Sequence, residues 1–169
     1  EYMQDAQSVV KIFDLDGEQS GTVDLPGIGT ATGFDGKIDD TETFFVYTSF
    51  DTPTTVNRLD VSTGAVSVFR QPEVAFDPDD YVVEQVFYTS KDGTRVPMFI
   101  SHRKDLEIDG ALPTLLYGYG GFNISQTPAF SVTRLAWMDL GGVYAVANIR
   151  GGGEYGKAWH EAGTKERKQ

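Results

Sequence analysis

The feature that most constrains the fold is an apolar segment that ends abruptly in glycine, LLYGYGGFN at residues 115–123. Its first three residues are typical of a buried strand, and three of the next four are glycine. A glycine-rich turn straight after a strand lets backbone N–H groups approach a ligand without a Cβ in the way. Hydrolases build the oxyanion hole at such turns. The segment therefore predicts one wall of an active site at the end of a strand.

The residues around this turn predict an α/β arrangement. Residues 112–117 and 143–149 are nearly continuous apolar runs, which favour a covered, parallel sheet. Between them, residues 131–140 are apolar at helix-compatible positions and end in Gly141 and Gly142, a plausible helix stop. Upstream, residues 82–89 and 94–101 read as a hairpin around a turn at 90–93. Strand, glycine turn, helix and strand in this order indicate an α/β sandwich.

The first seventy residues have a different character. Short β-rich segments at residues 9–15, 43–50, 56–61 and 65–69 alternate with turn residues, which favours antiparallel sheet. The hairpin at 57–69 is of the kind that closes a propeller blade, and we estimate one to one and a half blades. Because such repeats need about three or more neighbours for stability, we do not expect this part to fold well alone.

A segment rich in proline and acidic residues separates the two patterns. Residues 71–80 follow neither a strand nor a helix period, so we place a domain junction there. The prediction is a first domain at residues 1–75 and a second at residues 76–169. The chain enters strand-like sequence within a few residues of Glu1, which we interpret as an interior cut of a longer protein.

Charge and composition narrow the classes of partner. The net charge of −11, from 25 acidic and 14 basic residues, argues against nucleic acids and anionic membranes as partners. No apolar run is long enough for a membrane span, and the first residues do not resemble a signal peptide. The absence of cysteine excludes disulfides and thiolate metal sites. We expect a cytoplasmic location, with the periplasm as the alternative.

A second glycine run, GGGEYG at residues 151–156, satisfies the G-x-G-x-x-G pattern of dinucleotide sites. Glu154 counts against that interpretation because it would place a carboxylate near a pyrophosphate. The alternative is a tight crossover in which Arg150 and Glu154 tether the loop through charge-assisted hydrogen bonds. We favour the crossover and predict no cofactor.

The two histidines do not make a convincing catalytic or metal site. His102 stands beside charged residues at a strand end, which is typical of a solvated surface histidine. His160 is interpreted as a packing or hydrogen-bonding residue. No paired-histidine spacing is present, so we predict no metal. No serine lies in G-x-S-x-G, and Ser125, the serine nearest the first glycine turn, is interpreted as a loop residue.

Tyr119 and Phe122 are the candidate functional side chains of the first turn. A phenol with a pKa near ~10 is neutral at pH 7 and can donate an O–H bond to a developing oxyanion. The alternative for Tyr119 is an aromatic cap on the sheet edge. Phe122 could equally be a core filler or the apolar lining of a substrate pocket.

Several motifs in order resemble the prolyl oligopeptidase family. They are YGYGGFNIS at 117–125, TP at 127–128, GGV at 141–143, ANIRGGGEYG at 147–156 and WH at 159–160. The hairpin sequence at 84–99 is similar too, whereas the likeness is looser over the first 75 residues. The related oligopeptidase B enzymes share the YGYG start but usually do not continue with GFN, which favours the proline-specific branch.

This resemblance implies a fold, a reaction and roles for two residues. The fold would be an α/β-hydrolase domain capped by a seven-bladed propeller, of which the chain holds the end of the propeller and an incomplete α/β-hydrolase sheet. The reaction would be hydrolysis of short peptides on the carboxyl side of proline, through an acyl-enzyme formed by a Ser, Asp and His triad. Tyr119 matches the oxyanion tyrosine of the family, and Phe122 matches an aromatic residue near the proline pocket.

The resemblance also implies what the chain lacks. In the family, the nucleophile, the acid and the histidine follow the region that matches residues 151–169. We therefore expect the chain to be inactive alone and to need the remainder of a parent chain to complete its fold. The alternative is a non-catalytic peptide-binding or interaction module derived from the same fold.

Overall fold

The structure is a computed structural model that describes residues 1–168. In chain order the strands are β1 (Tyr2–Gln4), β2 (Gln7–Val9), β3 (Lys11–Phe13), β4 (Gln19–Thr22), β5 (Thr30–Asp35), β6 (Glu42–Thr48), β7 (Thr55–Asp60), β8 (Val66–Arg70), β9 (Tyr81–Thr89), β10 (Arg95–Arg103), β11 (Thr114–Tyr117) and β12 (Val143–Ala147). The α-helices are α1 (Val132–Asp139) and α2 (Lys157–Glu161), and short 3-10 helices cover Pro78–Asp80 and Lys165–Arg167. Within the described chain, none of the helices is long and apolar enough to cross a membrane.

The first part of the chain, residues 1–70, is antiparallel, as predicted. Strands β5 to β8 form a four-stranded meander in sequence order, and β1–β2 and β3–β4 form two hairpins. Alternate residues of β7 point inward, with Thr55, Asn57 and Leu59 buried. The hairpin predicted at 57–69 is the pair β7 and β8.

One predicted strand in this part is wrong. Residues 9–15 are not continuous, because the chain leaves β2 and enters β3 at Val10. Val10 is only 5% exposed and lies in the core of the first part with Phe45 and Tyr47. Its carbonyl accepts a hydrogen bond from Val23 N at 2.9 Å. The break lets the chain change partners, since β2 pairs with β1 and β3 pairs with β4.

The second part, residues 81–168, is built on a mixed sheet in the order β11-β12-β10-β9. The hairpin of β9 and β10 confirms the prediction within two residues at each end. β11 and β12 pair in parallel, as predicted from their apolar runs, whereas β12 pairs antiparallel with β10 on its other side. All five residues of β12 are buried, whereas all four residues of β11 are exposed. Among the described residues β11 is an edge strand, which accounts for its exposure.

Helix α1 connects β11 to β12 and covers one face of the sheet. It spans eight of the ten residues predicted and ends before Gly141, whose φ is +86°. Leu135 and Met138 face the core, where Met138 is fully buried. Trp137 Nε1 donates to the carbonyl of Val143 at 2.9 Å, which fixes the start of β12 relative to the helix.

The core of the second part includes residues of the first part, which also has a core of its own. Ala6 and Phe50 from the first part are buried with Phe99 and Tyr144 from the second, and the Phe50 ring centroid lies 5.6 Å from that of Phe99 and 5.7 Å from that of Tyr144. Thr30 Oγ1 donates to Pro128 O at 2.7 Å across the same contact. The proposed boundary between residues 75 and 76 stays a prediction, and Gln169 at the end of the second range lies outside the described residues.

Candidate functional site

The first glycine turn, residues 118–123, follows β11 and has an unusual backbone. Gly120, Phe122 and Asn123 have φ angles of +57°, +52° and +58°. The left-handed region costs a non-glycine residue about 1–2 kcal/mol, and it persists only where the surroundings determine it. Two such residues in succession, Phe122 and Asn123, mean that neighbouring structure holds this turn in shape.

The second glycine turn, residues 151–156, follows β12 and lies directly against the first. A Cβ on Gly120 would lie 2.6 Å from the carbonyl oxygen of Arg150, and a Cβ on Gly151 would lie 2.1 Å from that of Gly120. A Cβ on Gly163 would lie 2.2 Å from the same Arg150 oxygen. Asn123 N donates to Gly151 O at 3.2 Å. The two turns therefore contact each other directly through their backbones, and Lys168 Nζ donates to the carbonyl of Gly120 and, at 3.5 Å, to that of Arg150.

Both candidate side chains of the first turn are open to solvent. Tyr119 is 39% exposed and its ring lies over Gly121, where a Cβ would be 3.5 Å from Cε1. Within residues 1–168 the hydroxyl of Tyr119 has no hydrogen-bond partner, so its O–H is available to donate. Phe122 is 85% exposed, which does not fit a core filler. The binding roles of Tyr119 and Phe122 stay predictions.

Glu154 tethers the second turn, as predicted from the sequence, and its partner lies in the loop that follows the first turn. Its carboxylate is buried, and Oε1 accepts from the backbone N–H of Gln126 at 2.9 Å and from Asn148 Nδ2 at 3.3 Å. Asn148 Nδ2 also donates to the carbonyl of Gln126 at 2.7 Å. The peptide groups on both sides of Gln126 are thus held from the second turn and the end of β12.

Arg150 tethers the same turn in another direction. Its guanidinium donates to Asp92 in the turn between β9 and β10, and to Thr94 Oγ1 at 3.4 Å. The hydrogen bond from Arg150 holds the pKa of the Asp92 carboxyl well below its usual range, with further bonds from Thr94 acting in the same direction. Arg150 and Glu154 therefore each anchor the loop, but to different neighbours.

The second turn does not present its amides as a dinucleotide site would. Gly151 N donates to Trp159 O and Gly156 N to Gly153 O, both within the loop and the following helix. The carboxylate of Glu154 lies against Gly152, where a Cβ would be 2.2 Å from Oε2. The geometry supports the crossover interpretation.

The structure confirms the predicted environment of one histidine and contradicts that of the other. His160 is a hydrogen-bonding residue, as expected, because its Nδ1 lies 2.7 Å from Gly151 O and supports the second turn. The prediction of a solvated His102 is wrong: this residue is 8% exposed and its Nδ1 lies 2.7 Å from Arg103 O. It belongs to β10, which is covered because it runs inside the sheet between β9 and β12.

Two residues of the site were not found from the sequence. Asn148 is fully buried, and Gln126 is linked to both Asn148 and Glu154. The signal for Asn148 is a polar residue inside the apolar run 143–149.

Ser125 is a half-buried loop residue beside Gly153, in line with its interpretation. Within the described part of the chain, no group of three or more His, Asp or Glu side chains could hold a metal ion.

The arrangement combines an O–H donor and an exposed aromatic ring at the end of a strand. The hydroxyl of Tyr119 can donate a hydrogen bond to a carbonyl oxygen or an oxyanion. The ring of Phe122 offers an apolar surface three residues further on. Both are presented by a turn whose shape is fixed by backbone contacts.

Two family models match the chain. The model of the prolyl oligopeptidase N-terminal beta-propeller domain matches residues 1–72, and the model of the prolyl oligopeptidase family matches residues 128–169.

Curated and solved relatives cover the whole chain. A prolyl endopeptidase from Elizabethkingia miricola is 52% identical over 99% of this chain. A solved structure from a study of two prolyl endopeptidases and their inter-domain dynamics is 53% identical over 100% of the chain, with a TM-score of 0.87. Prolyl oligopeptidase B from Galerina marginata, solved with a 35mer hydrolysis and macrocyclization substrate, is 36% identical over 99%, with a TM-score of 0.87. The chain spans about a quarter of the length of these relatives, at 24%, 25% and 24%.

Proposed function

Since the chain belongs to the prolyl oligopeptidase family, we propose that it forms one wall of the active site of a serine endopeptidase that cleaves short peptides after proline. The observation that carries the proposal is the exposed hydroxyl of Tyr119, which no residue of the described chain engages and which a tightly held glycine turn presents. The matches to prolyl endopeptidases support the reaction class.

Tyr119 stabilises the oxyanion in this proposal. Attack of a serine on the peptide carbonyl converts its oxygen to an oxyanion in the tetrahedral intermediate, and the phenol O–H donates to that oxygen. The donor stabilises the transition state more than the ground state, because charge builds up on the oxygen only as the bond forms. Collapse of the intermediate breaks the C–N bond, and the amine product leaves with the proton that the serine gave up. Water then hydrolyses the acyl-enzyme.

Phe122 holds the proline of the substrate in this proposal. A proline ring is apolar and presents no N–H, so an aromatic face is a suitable surface for it. The exposure of Phe122, at 85%, leaves its ring free to make that contact. The peptide-bound structures of the Galerina relative support peptides as the class of ligand.

The nucleophile is proposed to lie outside this sequence. The 169 residues contain no G-x-S-x-G motif, and they cover a quarter of the length of the relatives. We expect no reaction of the 169-residue chain with a fluorophosphonate probe. Covalent labelling of this chain alone would contradict that part of the proposal.

The decisive test is Tyr119→Phe in the full-length protein that carries these residues. Loss of one oxyanion donor is expected to lower kcat by ~10² to 10³ in hydrolysis of a proline-containing peptide. Tyr2→Phe is the control, because Tyr2 is also exposed, at 52%, but lies on β1 in the first part of the chain. An unchanged kcat in Tyr119→Phe would remove this tyrosine from the mechanism.

A second candidate function is a non-catalytic module that binds proline-containing peptides. The exposed pair Tyr119 and Phe122 in a sequence without G-x-S-x-G favours it. The two functions are separated by peptide hydrolysis in the full-length protein: binding of the peptide without turnover would favour the module.

A further inference from the structure

We propose that Glu154 is a positioning residue for substrate specificity, which holds Phe122 in place by fixing the loop that follows it. The inference rests on the proposed function, because it concerns the same active-site wall. Glu154 acts through Gln126, three residues beyond Asn123, rather than through any contact of its own with substrate.

The contacts of Glu154 converge on one point of the loop. Oε1 accepts from the backbone N–H of Gln126 at 2.9 Å, while Asn148 holds the carbonyl of the same residue at 2.7 Å. Asn148 Nδ2 also donates to Glu154 Oε1 at 3.3 Å, so the two side chains form one clamp. A clamp on both the N–H and the C=O of one residue fixes the direction of the chain there.

The burial of this carboxylate is costly for stability. Glu154 is 5% exposed and Asn148 is fully buried. Within the described chain, Glu154 Oε2 and Asn148 Oδ1 are buried without a hydrogen-bond partner. A buried, half-satisfied carboxylate is expected to destabilise a fold, and such exceptions are typical of functional sites. Its presence here therefore points to a role in placing the loop.

The backbone of the turn explains why a clamp is needed. Phe122 and Asn123 are both left-handed, a conformation that an unrestrained loop would leave. Gly153 lies against Asn123, so close that a Cβ would be 2.6 Å from the Asn123 carbonyl oxygen. With Gly153 on one side and the Glu154 clamp on the other, the strained pair cannot relax.

Tyr119 is held by different contacts. Gly120, next to it, lies against Ile149 and the carbonyl of Arg150, and these contacts do not involve Glu154. Removal of the carboxylate should therefore displace Phe122 and leave Tyr119 in place. In kinetic terms, proline binding should weaken while oxyanion stabilisation persists.

The experiment compares Glu154→Ala, Glu154→Gln and the control Glu161→Gln in the full-length protein. Glu161 is a matched control because its side chain is 55% exposed and, within residues 1–168, pairs only with Lys157 on α2. Two short fluorogenic peptides are used that differ only in proline or alanine before the scissile bond. Active sites are counted with a fluorophosphonate, so that kcat refers to folded enzyme alone.

Glu154→Ala is expected to lower the proline-over-alanine ratio of kcat/KM about 10-fold or more, chiefly through KM for the proline peptide, with kcat within about 3-fold. Glu154→Gln should keep the proline-over-alanine ratio of kcat/KM within about 3-fold of the wild-type value. The glutamine amide oxygen can still accept the hydrogen bond from the backbone N–H of Gln126. Glu161→Gln should leave the ratio unchanged.

A merely structural role gives a different result. If Glu154→Ala reduces the number of active sites while those that remain keep the full ratio, the proposal is overturned. Should Glu154→Ala not accumulate, Gly153→Ala disturbs the same turn from its other side and is expected to lower the ratio as well; an unchanged ratio there would also overturn it. A wild-type protein that shows no preference for proline would instead contradict the proposed function.

Discussion

At the scale of single residues, Gly120 shows how close packing shapes the site. Its φ of +57° and its contacts with Ile149 and Arg150 leave no room for a Cβ. Other glycines of the chain, such as Gly64, are also left-handed but have open space around them. Comparing Gly120 with Gly64 separates the free-energy cost of a left-handed backbone from the free-energy cost of the close contact.

We predict that Gly120→Ala lowers the free energy of unfolding by about 2–4 kcal/mol, through backbone strain plus overlap with Arg150 O at 2.6 Å. Gly64→Ala, at φ +73° with nothing within 4 Å, should cost only about 1 kcal/mol. Urea denaturation of both variants measures the difference. Equal losses would show that the contact between the two turns contributes nothing.

Sequence reasoning succeeded for residues whose role depends on local pattern. The glycine turn and the tethering role of Glu154 could be predicted, whereas the partners of Glu154 could not, since Gln126 lies 28 residues away. His102 was placed wrongly because its charged neighbours in the sequence suggested a surface. Its burial depends on the pairing of β10, which local sequence does not encode.

At the scale of elements, the turn between β7 and β8 is organised by Asp60. Its Oδ1 accepts from the Ser62 hydroxyl at 2.6 Å and from the backbone N–H groups of Ser62 and Thr63 at 3.0 and 2.9 Å. The bond from the Ser62 hydroxyl is the largest of the influences that lower the pKa of Asp60 from 3.8 to about 2. The turn is therefore held by the charged form of this carboxyl.

Because the folded pKa is lowered, the stabilisation by Asp60 is fully present above pH 3.8 and is lost as the pH falls toward about 2. We predict that Ser62→Ala raises the pKa of Asp60 toward 3.8, measured by a carbon NMR titration of its carboxyl. Ser67→Ala, at an exposed position of β8, should leave the titration unchanged. A midpoint that stays near 2 in Ser62→Ala would assign the shift to Thr63 and to the backbone N–H of residue 62.

Elements with a strong local pattern were predicted well. Helix α1 and the hairpin of β9 and β10 lie within two residues of their predicted bounds, because apolar periodicity and glycine stops mark them. The single strand predicted at 9–15 failed, since its break at Val10 follows from a change of pairing partner. The exposure of β11 was also missed, because an edge and a central strand share the same apolar sequence.

At the scale of the whole molecule, Phe50 connects the two parts of the chain. It belongs to the first part by sequence, but its ring packs with Phe99 and Tyr144 in the core of the second part. Both tryptophans, Trp137 and Trp159, lie in the second part, so their fluorescence reports on that part alone. The effect of a substitution at Phe50 on the second part can therefore be followed by the fluorescence of these tryptophans.

We predict that Phe50→Ala lowers the free energy of unfolding detected by tryptophan fluorescence by about 3–5 kcal/mol, because it opens a cavity in the shared core. Phe69→Ala is the control, since this ring is 59% exposed on β8, and it should change the value by less than about 1 kcal/mol. Urea unfolding of the full-length protein that carries these residues provides the measurement, with every tryptophan other than Trp137 and Trp159 replaced by phenylalanine. If Phe50→Ala leaves the fluorescence-detected unfolding transition unchanged, the two parts unfold independently.

The architecture as a whole could be predicted from ordered motifs, which the family matches confirmed. The packing of the two parts on each other could not, because it depends on small contacts such as the buried Ala6 and the hydrogen bond from Thr30 to Pro128. Neither Ala6 nor Thr30 stands out in the sequence.

The backbone contact between the two glycine turns has a consequence for how such a site can change. The residues that fix the shape of the wall, such as Gly120 and Gly151, are closed to substitution, while Tyr119 and Phe122 project outward and contribute little to the packing beneath them. Selection, or a designer, can therefore exchange the outward side chains without rebuilding the scaffold. A library randomised at position 122 should yield many well-folded proteins of differing substrate preference, whereas one randomised at position 151 should yield almost none.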